Sequence, residues 1–312
     1  MTTHPADTAE MLTAPAPEQV RGESPLIRAL GAYAMVVRED RLALFGTIIY
    51  IFFIAMALFA PLIAPYHPTE VIQEGGIWLA NEPPSARFPL GTTNLGRDIF
   101  SQLIYGSRTA LLVGFSAAMA VAVIGTVVGL VAGYYGGWVE TILMRLTDIA
   151  FGIPFLPFVI VLVAFLRPSI WNIVLAMALL LWRDTARVIR SQVLTVKERA
   201  FVSAAKISGA SDLRIIFVYI APNILPLTFL YGSLAIGWSI LTEASVSFLG
   251  FGDPEVVSWG FMLQDAFVSQ AMSREAWYWI IPPGLFIMLS VMAGFFIGRG
   301  FEEVLFPRLR RV

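Results

Sequence analysis

Long uncharged stretches alternate with short charged segments along the chain. No Asp, Glu, Lys or Arg occurs from Leu42 to Thr69, and Leu44 to Ala64 is long enough as a helix to cross about 30 Å of hydrocarbon. Residues 109–139 are likewise uncharged, and further apolar runs cover Ile149–Leu166, Pro168–Trp182, Ile215–Thr242 and Ala276–Gly298. The fourth is short, so it borrows flanking residues up to Val188, with Arg183 snorkelling to the interface. The pattern predicts an all-α polytopic membrane protein with six transmembrane helices, at about 44–64, 109–133, 149–166, 168–188, 215–242 and 276–298. Within the second, Gly125, Gly129 and Gly133 recur every four residues on one helix face. Small residues so spaced let two membrane helices approach closely, either within this chain or between subunits. Pro154 and Pro157 predict a kink in the third span, and Arg145 and Asp148 an ion pair at its mouth.

The segments between spans read differently from one another. Residues 1–25 are too polar to bury a core, and 1–40 is expected to be a partly disordered N-terminal tail ahead of a membrane domain at 41–312. Residues 65–108 show no sustained period, although Phe88–Arg108 reads as a turn followed by an amphipathic helix at the membrane surface. Between spans four and five, Ala204 and Ala205 sit in a helix-favouring run that Gly209 interrupts. Ser211 then caps a second short helix whose first turn carries Asp212, giving helix, glycine bend, helix. The outside of such a hairpin is low and nearly featureless, which suits docking into a groove. Between spans five and six, Trp259, Trp277 and Trp279 suit the outer interface as anchors. Glu243 is the one carboxylate set among apolar neighbours near a span end, with either a packing role or a gating one.

Composition narrows the chemistry. Hydrophobic residues make up 57% and charged residues 14%, and the net charge of −1 gives no reason to expect nucleic acid. The absence of cysteine excludes disulfides, thiolate metal sites and cysteine nucleophiles, and two histidines leave little for metal or acid–base work. No catalytic, cofactor or metal residue is assigned. The only lysines, Lys197 and Lys206, do not follow a phosphate-loop glycine, so an ATPase would have to be another subunit. Of the 21 Lys and Arg residues, 16 fall in 1–43, 145, 183–214 and 299–312, which predicts both termini and the hairpin in the cytoplasm.

The hairpin positions Ser203, Ala204, Ala205, Gly209, Tyr219, Ala221 and Pro222 resemble the EAA motif of ABC-importer permeases, with serine in place of the glutamate. Pro89-Leu90-Gly91-Thr92, Gly96-Arg97-Asp98, Ser101, Gly106 and Arg108 are similar to the smaller permease of the dipeptide, oligopeptide and nickel importers. So are Ser247-Phe248-Leu249-Gly250, Trp259-Gly260, Met262-Leu263, Pro282-Pro283-Gly284-Leu285 and Pro307-Arg308-Leu309-Arg310. The resemblance implies a type I ABC importer permease fold with a cytoplasmic coupling helix, in a bacterial or archaeal inner membrane. It implies four kinds of partner: a second permease, two ATPase subunits that bind ATP and Mg, an extracytoplasmic substrate-binding protein and the bilayer. Ala204, Ala205, Gly209, Ala210, Ser211 and Asp212 would be the ATPase-coupling surface. Glu243, Asp253 and Trp259 are candidates for a gate or a binding-protein contact. Cargo would be di- or oligopeptide, with nickel or oligosaccharide as alternatives. A gradient-driven transporter or channel is the rival reading, disfavoured by spans that are almost free of charge.

Overall fold

A computed structural model describes residues 25–305 and is mostly helical. Residues 1–24 of the expected tail and the Pro307–Arg310 string lie outside the described residues. Helix α1 (Pro25–Glu39) falls within the stretch read as tail, and Asp40 separates it from α2 (Arg41–Leu58). The Asp40 carboxylate caps α2, accepting from Leu42 N at 2.6 Å and Ala43 N at 3.4 Å. A single turn, α3 (Ala60–Ile63), leads into the first long connection. There a two-residue antiparallel pair, β1 (Gln73–Glu74) and β2 (Ile77–Trp78), turns at Gly75 and Gly76, both at positive φ.

The surface helix expected before Arg108 is not a separate element. Helix α4 runs unbroken from Ile99 to Tyr135, 37 residues or about 55 Å. Asp98 caps it through Ser101 N at 2.8 Å. Nothing breaks the helix at Gly106, because the missing side chain there makes room for the Trp259 ring, 2.6 Å from where a Cβ would stand.

Helices α5 (Gly137–Gly152) and α6 (Phe155–Leu166) follow, bent by 87° at Ile153–Pro154, where the prolines predict a kink. Helix α7 (Ile170–Lys197) returns along α4. After the hairpin helices α8 (Ala200–Ile207) and α9 (Asp212–Arg214), a π-helical turn at Ile215–Ile220 feeds α10 (Ala221–Val246). A second π turn, Ser247–Phe251, ends at Gly250 with φ +90°. Helices α11 (Trp259–Val268) and α12 (Trp277–Leu305) complete the described chain.

Four stretches are long and apolar enough to cross a membrane: Arg41–Leu58, Ile99–Tyr135, Asp212–Phe251 and Trp277–Glu302. The bent pair α5 and α6 makes a fifth if it is one span. Helix α7 misses that standard because Arg183, Asp184, Arg187 and Arg190 interrupt its second half. Its buried face is nevertheless the one that packs most intimately. A Cβ on Gly125, Gly129 or Gly133 would stand 2.6 to 2.7 Å from side chains of Thr185, Ile189 and Val193 on α7. The glycine face is therefore a helix contact inside this chain.

Candidate functional site

The hairpin between α7 and α10 has the expected form. Helix α8 ends in a Schellman motif, in which Ala210 N donates to Ala205 O and Gly209 N to Lys206 O, both at 3.1 Å. Gly209 takes the left-handed position, φ +76°. Ser211 then caps α9 through Arg214 N at 3.4 Å. One face of the hairpin is buried: Val202, Ile215 and Ile216 pack with Leu130, Ile189 and Val193, and Ala205, expected on the docking surface, is itself buried. The other face is open, with Ala204, Gly209, Ser211 and Asp212 exposed, Ala210 half-buried, and Ile207 and Leu213 exposed at 88% and 64%. Two exposed aliphatic side chains flanking a glycine bend are a signal that small-residue counting misses.

A polar clamp ties this hairpin to the end of α4. The Tyr134 hydroxyl donates to Asp212 Oδ1 at 2.6 Å, and Lys197 Nζ donates to Tyr134 O at 2.7 Å. Asp212, expected only as docking surface, is thus also the tether. Along α5, Glu140 binds Arg190 Nε at 2.7 Å. Asp148 binds Arg187 at 2.9 Å and faces Arg145 at 3.8 Å, the pair expected from the sequence.

The opposite end of the molecule gathers the outer-face candidates. Trp259 and Trp279 do not anchor an interface: each is 1% exposed. The Trp259 indole donates to Leu103 O at 2.9 Å and packs on Phe53 and Phe286, with ring centroids 5.3 and 5.5 Å away. Gly260 lets α11 sit directly on the Ala244 backbone, and that close approach draws the tryptophan inward. Trp277, 45% exposed, is the one member of the trio at the surface.

Glu243 is buried, and its Oε1 accepts from Ser247 Oγ at 2.6 Å. Asp253 is half-buried and accepts Ile170 N at 3.2 Å, while Ser169, at the cap position of α7, makes no capping bond with its side chain. A carboxylate from 83 residues away therefore caps α7 and holds the α10–α11 loop against it. Asp253→Ala is expected to lower stability by about 1 kcal/mol, with Asp253→Asn close to neutral, read from thermal unfolding of the purified protein.

The Phe88–Arg108 string is scaffold for this end. Thr92 Oγ1 donates to Leu79 O at 2.5 Å and accepts from Glu82 N at 2.9 Å. Ser101 Oγ donates to Asp98 at 2.6 Å and accepts from Tyr66 N at 3.2 Å, and Arg108 Nε donates to Ala57 O at 2.7 Å. Burial pushes the Asp98 carboxyl above the ordinary carboxylate range, and its bonds from Ser101 pull it back only in part.

Residues 125–311 match the family described as binding-protein-dependent transport system inner membrane component. Residues 36–84 match the N-terminal TM domain of oligopeptide transport permease C. The dipeptide transport system permease protein DppC of Alkalihalophilus pseudofirmus is 35% identical over 98% of this chain and 97% of its own length. A di/tripeptide transport system permease protein of Pseudomonas aeruginosa is 36% identical over 86% of this chain and 88% of its own. The oligopeptide transport system permease protein OppC of Bacillus subtilis is 34% identical, over 88% of each. With membrane-length helices, a match over more than half its residues and full-length relatives of one kind, the chain belongs to the inner membrane components of binding-protein-dependent transport systems.

Proposed function

We propose that this chain is the smaller permease subunit of an ATP-driven importer of di- or oligopeptides, and that the 200–214 hairpin is the surface through which a cytoplasmic ATPase subunit moves it. The observation that carries the coupling role is the hairpin's division into an open and a tethered face. Ala204, Gly209, Ser211, Ile207 and Leu213 face outward, while the Tyr134–Asp212 bond joins the same hairpin to α4, and Lys197, at the end of α7 from which the hairpin emerges, bonds to Tyr134 O. A push on the open face is therefore delivered to two long helices. Closure of the ATPase pair around ATP and Mg would shift the helices between two packings, which is alternating access. The peptide cargo is carried over from the relatives' names, as are a second permease and a binding protein.

The reading has six crossings. The bent pair α5 and α6 makes one, and α7 makes another, since its first residue meets Asp253 at one end of the fold and Lys197 meets Tyr134 at the other. The charge distribution supports a cytoplasmic place for both termini and the hairpin, and it does so even without Arg183, Arg187 and Arg190, which lie within α7. A cysteine at exposed Ser208 is expected to resist an impermeant thiol reagent added to intact cells, and one at exposed Glu255 to react. The opposite labelling would remove the hairpin from the reach of any ATPase.

Of the outer-face candidates, Glu243 and Asp253 act through position, and Trp259 has no surface to offer a binding protein in this conformation. Glu243→Gln keeps an acceptor for Ser247 and is expected to leave uptake near wild type. Glu243→Leu leaves that hydroxyl unpaired and is expected to lower the yield of assembled complex severalfold. A large loss of uptake in Glu243→Gln at normal yield would instead assign the charge to gating.

A further inference from the structure

Helix α7 has two faces that want different surroundings. Thr185, Ala186, Ile189 and Val193 are buried against α4, while Asp184, Arg187, Ser191 and Thr195, spaced by three or four residues, form an exposed polar stripe. Asp184 is the fifteenth of the helix's 28 residues, so about 20 Å of helix lies on either side of it. A carboxylate that deep in a crossing helix is costly against lipid and is found where the wall meets water or a polar solute.

Such a space is present. A cavity of 370 Å³ lies between α7 and α10, lined by Asp184, Arg183, Thr185, Tyr231, Leu234 and Trp238 among others. A second, of 400 Å³, shares Tyr231 and Leu234 with it and adds Arg187, Ser191, Gln192 and Glu302. Between them they lie along the stripe from Asp184 to Ser191.

The pair at the head of the stripe is unequal. Arg183 has a side chain only 13% exposed, donates through Nη1 to Ala150 O at 2.5 Å and lies 4.7 Å from the Phe151 ring centroid. Its Nε faces Asp184 Oδ2 at 3.7 Å without a hydrogen bond, while the Asp184 side chain is 58% exposed. The positive partner is withdrawn and committed, and the negative one is presented.

We propose that Asp184 is the point on the transport path that recognises the free ammonium group of a peptide, with Arg183 turned away to Ala150 O so that the carboxylate is left open. An ammonium meets a carboxylate there with charge-assisted hydrogen bonds, and the rings of Tyr231 and Trp238 line the same cavity for the apolar part of the cargo. The proposal rests on the peptide-import reading above.

The test uses the complete assembly in proteoliposomes, with binding protein and ATPase subunits, and reads a labelled dipeptide imported per ATP hydrolysed. Asp184→Asn is expected to lower that ratio about tenfold, and Asp184→Glu to restore most of it. A structural role would reduce import and hydrolysis together and leave the ratio unchanged, and that result would overturn the site alone. If the wild-type assembly hydrolyses ATP with loaded binding protein but imports no peptide, the peptide reading falls and the site with it.

Discussion

Gly129→Leu is expected to insert into the membrane and then fail to give folded protein, the largest effect of any single substitution considered. A Cβ at this position would stand 2.7 Å from both Ala186 O and Ile189 Cβ, inside any tolerable contact, and leucine adds three more carbons beyond it. The neighbours cannot yield. Ala186 O is backbone of a continuous helix, and the glycines one turn to either side hold the same contact, 2.6 Å from Thr185 and Val193. Forcing α4 and α7 apart would also open the cluster in which Leu130 and Tyr134 pack with Ile189, Val193 and the hairpin's Ile215. Overpacking a core by a few methylenes costs about 1–3 kcal/mol, and separating two backbones in contact costs more than that. Against a total stability of about 5–15 kcal/mol, that is a large share of the margin. Gly284→Ala is the control, because a Cβ there meets nothing within 4 Å. Yield of monodisperse protein in detergent and its thermal midpoint separate the two, and a folded Gly129→Leu protein would show that the helices are not packed through this face.

The same three glycines show what the sequence could and could not convey. Their spacing made a close helix approach legible, because a period of four residues is a property of one helix. The partner was not, since Thr185, Ala186 and Val193 lie some 60 residues away and carry no mark of their own. The hairpin was readable because each of its signals is local: alanines, a glycine at the bend and a serine cap. Its tether to Tyr134 was hidden by the 78 residues that separate that hydroxyl from Asp212.

Trp259 departs from its sequence expectation for a related reason. Tryptophan near a span end favours the interface on average, but Gly106 and Gly260 together carve a slot that buries the ring. The continuity of α4 is not legible because residues 99–108 carry charge and polarity, which reads as surface although Ser101 and Gln102 are buried against the 65–68 segment and Ser107 bonds to Ile104 O of its own helix. The sequence of α7 by itself suggests a short apolar span with one snorkelling arginine. Its charged second half is held by α5, through the Glu140–Arg190 and Asp148–Arg187 pairs, and no pattern within α7 announces those partners.

Gly209→Leu is expected to leave the fold intact and to uncouple transport from ATP hydrolysis. Two effects must be separated. A leucine held at φ +76° costs about 1–2 kcal/mol of backbone strain, which the hairpin could relieve by unwinding the turn. Sterically the chain itself offers no objection, since a Cβ at Gly209 meets nothing within 4 Å. The side chain would instead project from the open face, beside Ile207, where the ATPase subunit is proposed to sit. Gly209→Asn distinguishes the causes, because asparagine adopts the left-handed conformation more readily and so keeps the Ala210–Ala205 and Gly209–Lys206 bonds with less strain. If strain were the whole effect, asparagine would behave nearly as glycine does, and leucine would lower the thermal midpoint along with activity. If the surface must fit a groove, both variants should keep the wild-type midpoint to within a few degrees while peptide-stimulated ATP hydrolysis falls at least tenfold in leucine and less in asparagine. Full stimulation in a folded Gly209→Leu assembly would place the ATPase contact elsewhere on the chain.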